Sequence, residues 1–149
     1  MRNLVSLMNL AGAAVLVTII AAPLSAIADE WKAPASAEAR KNPVALDAAS
    51  IAAGKKVWMK ECAECHGNTG KGDGEKSAEL KKDPGDLSDS KKIGSQSDGA
   101  LFWKITVGRQ PMPPYLKIPE EQRWQMVNYM RSISKEKPAD GDAKTTEAK

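Results

Sequence analysis

The residues best suited to chemistry in this chain stand side by side. The segment 61–67 reads ECAECHG and contains both cysteines, Cys62 and Cys65, and the only histidine, His66. Thiols and imidazoles are the side chains that form covalent links, bind transition metals and take part in redox reactions. Because the 149 residues contain no other Cys or His, chemistry that needs these groups must be located in this segment.

Four kinds of site can contain this pattern. A disulfide between Cys62 and Cys65 would close a very small loop and stabilise little. A redox-active C-x-x-C requires a βαβ context that the chain does not offer, and a structural zinc site requires four ligands where only three are present. The fourth is covalent haem attachment by C-x-x-C-H. Two thiols on one helical turn can reach the two vinyl groups along one haem edge, and His66 then ligates the iron. The pattern favours this interpretation.

A second iron ligand is expected from the segment 108–115, GRQPMPPY. Met112 stands between Pro111 and Pro113, which fix the backbone and hold the thioether in one place. Other methionines are beside Cys62 or on an amphipathic helix, where core packing is the commoner role: Met59, Met126 and Met130. We therefore predict His66 and Met112 as axial ligands, an arrangement that favours electron transfer over oxygen chemistry.

The elements that position these residues are predicted to be helices, because no alternating strand pattern is present. The fold class is therefore all-α. The predicted helices run from the N-cap Ser50 to about Cys62, over 76–81, from Ser97 to Gly108, and from Pro119 to about Ile133. A segment of about thirty residues, 67–99, has few large apolar side chains. Its composition indicates that it wraps around a large apolar group that is not protein.

The chain is expected to divide into four parts. Residues 1–28 have the charged start, apolar run and A-x-A site of a secretory signal peptide, with cleavage after Ala28. An uncleaved membrane anchor is the alternative. Residues 29–49 are polar and rich in Ala and Pro and are interpreted as a linker, residues 50–134 as the folded domain, and residues 135–149 as a disordered tail. The net charge of only +3 gives no reason to expect a nucleic-acid partner.

Three segments together resemble the class I c-type cytochromes, in particular the small periplasmic monohaem cytochromes of bacteria. They are 54–74, 108–115 and 123–133, and they span about 51–133. The resemblance implies a cytochrome c fold of three to five helices with long loops around one covalently bound haem c. His66 is then the proximal ligand and Met112 the distal ligand.

The resemblance also implies several contacts. Gly54 and Trp58 of the first helix are expected to pack against Tyr129 and Met126 of the last helix. The carbonyl of Pro84 is a candidate acceptor that would orient His66. Arg109 and Trp103 are candidate hydrogen-bond donors to a haem propionate.

The function expected from the residues and the resemblance is one-electron transfer in the periplasm, without enzymatic activity. Its partners would be redox proteins, namely a dehydrogenase, reductase or oxidase, that dock transiently. Two alternatives remain open. One is a dedicated cytochrome subunit of a periplasmic dehydrogenase complex, or a membrane-anchored cytochrome c. The other is a haem enzyme or gas sensor, which would need an open axial position.

Overall fold

A computed structural model describes residues 31–134 of the chain. The predicted signal peptide and the predicted tail, residues 1–28 and 135–149, lie outside the described residues. Six α-helices and one 3₁₀ turn, without a strand, form the described part. The helices are α1 (Ala35–Glu38), α2 (Ala48–Glu61), α3 (Ala63–His66), α4 (Ser90–Gly94), α5 (Asp98–Val107) and α6 (Glu120–Ser134), and the 3₁₀ turn is Ser77–Glu79. The all-α prediction is confirmed. None of the helices within 31–134 is long and apolar enough to cross a bilayer.

Helix α2 begins three residues earlier than the sequence indicated. Asp47, not Ser50, is the N-cap, and its carboxylate accepts a hydrogen bond of 2.7 Å from the Ser50 backbone N–H. The Ser50 hydroxyl in turn accepts the Asp47 N–H at 3.2 Å. This reciprocal capping box satisfies two N–H groups that the first helical turn leaves without partners. The prediction of Ser50 as N-cap was wrong because Ser50 takes the third position of the same motif.

The longest helices, α2 and α6, cross at a glycine. A Cβ on Gly54 would lie 2.5 Å from the carbonyl carbon of Gln125 and closer still to its oxygen, so only glycine permits this approach. Beside the crossing, the rings of Trp58 and Tyr129 pack at 5.6 Å between centroids. Both rings are buried, as is Met126. The packing implied by the family resemblance is confirmed.

A buried arginine joins α6 to α4 and α5. The side chain of Arg131 is 1% exposed and donates to the Asp98 carboxylate at 2.8 Å. It also donates to the carbonyl oxygens of Ile93 and Gln96, at 2.7 and 2.6 Å. A buried guanidinium requires such partners, because an unpaired charge in the interior is costly. Arg131 therefore fixes the start of α5 and the turn before it to the last helix.

The predicted polar linker is not a free segment where the structure describes it. Residues 31–46, here called the N-terminal strap, lie against α5 and α6. Ala33 and Ala37 are buried and form a small apolar cluster with Ala100 of α5. Asn42 donates to the Asn128 side chain at 2.8 Å. The linker interpretation was wrong for this part, since small alanines can pack closely against a helix without a visible hydrophobic pattern.

Candidate functional site

The cysteines and the histidine lie at the junction of α2 and α3. Cys62 separates the two helices, and its carbonyl oxygen accepts the N–H groups of Cys65 and His66 at 3.2 and 2.9 Å. The three side chains therefore share one tight helical turn. Both thiols are free, with Cys62 buried and Cys65 partly exposed. The geometry leaves both sulfur atoms available for bonds to another group.

A cavity opens beside this turn and brings the four predicted site residues together. Cys62, Cys65, His66 and Met112 all line it. Its empty volume is about 760 Å³, part of which is open to solvent. The remaining wall is formed by residues of the 80–84 segment, by residues around Met112 and by the strap: Leu80, Lys82, Asp83, Pro84, Arg109, Gln110, Pro111, Pro113, Tyr115 and Trp31.

His66 has one buried nitrogen without a partner. Its Nδ1 atom makes no hydrogen bond, although it is shielded from solvent. Burial also lowers the pKa of His66, so the ring is neutral and retains a nitrogen lone pair for a metal. Pro84 lines the same cavity, but the hydrogen bond implied between its carbonyl and His66 Nδ1 is not formed. Next to the ring, Trp58 donates to the Gly67 carbonyl at 3.0 Å, which fixes the residue after the histidine.

The Met112 loop approaches the cavity after a sharp end of α5. Gly108 has a φ of +61°, and a Cβ there would lie 2.5 Å from the carbonyl carbon of Pro113. Glycine is required both by this conformation and by the close approach. Within the loop, the Met112 N–H donates to the carbonyl of Arg109 at 2.9 Å, and the Gln110–Pro111 peptide bond is cis. The glycine turn and the backbone hydrogen bond hold the backbone of the Met112 loop beside the cavity.

Sequence analysis did not identify Tyr115 as a site residue. Its hydroxyl donates to the Glu61 carbonyl at 2.8 Å, and its N–H donates to the carbonyl of Ile105 at 3.2 Å. Burial raises the pKa of Tyr115 to about 12, which keeps the hydroxyl protonated as a donor. Tyr115 thereby joins the Met112 loop to the residue before Cys62. The available signal was an aromatic with a polar tip directly after the PMPP segment.

Of the two residues proposed for a propionate, only Arg109 lines the cavity. Trp103 is half-buried and packs against Trp31 of the strap, with ring centroids 6.5 Å apart. The Arg109 guanidinium carbon lies 5.1 Å from the centre of the Trp31 ring. Trp31 was missed because its segment was interpreted as a linker.

The residues present are those that a covalently attached haem requires. Much of the cavity wall is apolar, and burial raises the pKa of the Cys62 thiol to about 12, so this thiol contributes no charge. A neutral histidine imidazole and a methionine thioether are both known kinds of haem iron ligand, and the two thiols follow the haem attachment pattern. The donor set and the cavity therefore fit haem c.

The fold and the cavity define an all-helical haem-binding domain. The sequence model of the family described as Cytochrome c matches residues 51–134, more than half of the chain. The chain belongs to the cytochrome c family. The family implies covalently bound haem c.

The comparison with solved structures found two named proteins among those similar to this chain. A chain of the reducing HAO-like protein complex of Kuenenia stuttgartiensis is 27% identical, with a TM-score of 0.54 over 61% of this chain. The match covers 46% of that chain, so the present chain spans less than half of its length. The c-type cytochrome KustC0563 is 23% identical, with a TM-score of 0.48, over 54% of this chain and 95% of that one. No curated protein sequence matches significantly.

Proposed function

We propose that this chain binds one haem c in the cavity, through thioether bonds from Cys62 and Cys65, with His66 and Met112 as axial ligands. The observation that carries the proposal is the convergence of these four side chains on one largely apolar cavity. Met112 stands 46 positions after His66 in the sequence, yet both residues line the cavity. The chain contains only two cysteines, enough to attach a single haem in this way.

The proposed activity is one-electron transfer without catalysis. When bound, the haem iron supplies a couple between the ferric and ferrous states. His66 and Met112 would both hold the haem iron, and two protein ligands would leave no open position for oxygen or peroxide. The hydrogen bond from the Met112 N–H to the Arg109 carbonyl fixes the backbone that carries the thioether. The neutral sulfur ligand and the apolar wall both disfavour extra positive charge, and so raise the reduction potential.

Location and partners follow from the same proposal. Residues 1–28 would act as an export signal cleaved after Ala28, residues 50–134 would be the haem domain, and the protein would act in the periplasm. Its partners would be redox proteins such as dehydrogenases, reductases or oxidases, which dock transiently.

A second candidate is a dedicated cytochrome subunit of a larger complex. The observation that favours it is the similarity to a chain of the Kuenenia stuttgartiensis reducing HAO-like protein complex, at a TM-score of 0.54. The mass of the protein in a native extract separates the candidates. A single-chain mass supports the carrier, and co-migration with a larger assembly supports the subunit.

Replacement of Met112 by Ala tests the proposed ligand set. The ferric wild-type protein should show one covalently bound haem per chain and a long-wavelength charge-transfer band from sulfur to iron. Met112→Ala should abolish that band and retain the covalent haem, because the thioether bonds do not involve Met112. Met59→Ala is the matched control, since Met59 is 42% exposed and does not line the cavity. The carrier proposal is wrong if the wild-type iron is high-spin and binds carbon monoxide readily.

A further inference from the structure

We propose that the N-terminal strap closes one side of the haem cavity, and that Trp31 is a positioning residue that keeps water and small ligands away from the Met112 side of the haem. This proposal rests on the proposed function and assigns a role to residues outside the family match, which begins at residue 51. The strap is therefore an addition to the part of the chain that the family model describes.

Trp31 forms part of the cavity wall together with the Met112 loop. The residue lines the cavity with Arg109, Pro111 and Met112. Its ring packs against Trp103 at 6.5 Å between centroids and an interplanar angle of 56°. The Arg109 guanidinium carbon and the Lys104 ammonium nitrogen lie 5.1 and 5.6 Å from the ring centre. These are distances at which cations are attracted to an indole ring, so the Trp31 ring contacts Trp103 and two cationic side chains.

The first anchor of the strap is its close contact with α5. A Cβ on Gly99 would lie 2.7 Å from the Arg40 carbonyl oxygen and closer still to that of Ala37, so glycine alone permits this approach. The Ser97 hydroxyl donates to the carbonyl of Glu38 at 2.9 Å. Ala37 is buried in the same contact. The backbone of α1 is thereby held directly against the start of α5.

The second anchor is on α6. Arg40 forms an ion pair of 2.6 Å with Glu120, and its guanidinium carbon lies 4.6 Å from the centre of the Phe102 ring. Asn42 donates to the Asn128 side chain, which is buried. Exposed ion pairs contribute little by themselves, but the buried amide and the stacked guanidinium restrict the strap further. These two anchors restrict the position of the strap and so keep Trp31 beside the cavity.

Two consequences for the haem follow. An indole ring removes a large apolar area from water, so loss of Trp31 would admit solvent to the Met112 side of the cavity. Water stabilises the more highly charged ferric state, and loss of the ring should therefore lower the reduction potential. Loss of the ring should also ease the entry of an external ligand that competes with Met112 for the ferric iron.

The test uses the haem-loaded, full-length protein and imidazole as the competing ligand. Trp31→Ala should bind imidazole to the ferric iron about twofold to tenfold more tightly than the wild type, which is the range expected for the loss of one aromatic pair. Its reduction potential should fall. Trp31→Phe should have an imidazole affinity and a reduction potential between those of Trp31→Ala and the wild type. Lys32 is an exposed neighbour on the same segment, and Lys32→Ala should match the wild type in both quantities.

A second variant reaches Trp31 indirectly. Gly99→Ala places a methyl group against the α1 backbone and should displace the strap, with the same direction of change in imidazole binding and potential. If Trp31→Ala does not load haem, Trp31→Phe and Gly99→Ala decide the question. Wild-type imidazole affinity in these variants would overturn the closing role. A wild-type protein without the sulfur-to-iron band would overturn the proposed function instead.

Discussion

Gly54→Ala tests whether the α2–α6 crossing depends on the absence of a side chain. In an ordinary helix the change would be stabilising, because alanine favours the helical state over glycine by about 1 kcal/mol. In this structure the new methyl group would lie 2.5 Å from the carbonyl carbon of Gln125, and contacts of a real Cβ are essentially never shorter than 3.0 Å. Helix propensity therefore predicts that Gly54→Ala raises the free energy of unfolding, whereas the packing predicts that the substitution lowers it.

The packing effect should be the larger one. To relieve the contact with the Gln125 carbonyl carbon alone, α2 and α6 must separate by about half an ångström, and the nearer oxygen requires more. Both obstructing atoms belong to the backbone, so no side chain can rotate away. Overpacking of this kind costs about 1–3 kcal/mol, and a rigid obstacle favours the upper end. After the gain in helix propensity, Gly54→Ala should lower the free energy of unfolding by about 2 kcal/mol.

The measurement is denaturant unfolding of the ferric haem-loaded protein. The free energies of unfolding of variant and wild type are compared where the dependence on denaturant concentration, the m-value, is unchanged. Ala52→Gly on the exposed side of the same helix is the matched control, because it changes only helix propensity and should cost about 1 kcal/mol. If Gly54→Ala instead raised the free energy of unfolding by as much as the control lowers it, α2 and α6 would not approach closely at Gly54. The effect should also reach the site, since Met126 follows Gln125 and its sulfur lies 3.9 Å from that of Cys62.

Two further substitutions test other parts of the fold. Arg131→Met should lower the free energy of unfolding by about 3–5 kcal/mol in the same assay, because the Asp98 carboxylate would stay buried without its partner. Addition of Asp98→Ala should recover much of the loss. An unchanged stability of Arg131→Met would contradict the reasoning. Gly108→Ala should weaken the sulfur-to-iron band, because its Cβ would push against the backbone of the Met112 loop. Gly85→Ala is its control, with a φ of +76° but open space around the site, and an equal effect of both changes would rule out the clash.

The segments that carry the proposed haem-binding residues could be identified because their signals are local. Cys62, Cys65 and His66 stand within one turn, and the prolines around Met112 mark a segment outside regular structure. Helices α5 and α6 were likewise predicted from Ser97 as N-cap and from the acidic residues after Pro119, and both are observed. In each case the determining interactions involve residues only a few positions apart.

The strap could not be predicted because its contacts are distant and lack a hydrophobic pattern. Asn42 and Asn128 are separated by 86 positions, and each amide alone is typical of an exposed turn. The contact at Gly99 depends on a missing side chain, which indicates that space is available but not what occupies it. A segment rich in Ala and Pro matches a linker in composition, and only the tertiary structure distinguishes the two.

The spacing between the proposed axial ligands depends on a link that is equally distant in sequence. His66 is fixed to α2 by the turn at Cys62, whereas Met112 is on a loop that follows α5. Tyr115 joins the two parts, since its hydroxyl donates to the Glu61 carbonyl across 54 positions and its N–H donates to Ile105 of α5. A tyrosine hydroxyl is protonated at neutral pH, and burial raises the pKa of Tyr115 further to about 12, so this link persists into the alkaline range. A weak thioether ligand needs such support, since the backbone must hold the sulfur in place when its bond to iron contributes little.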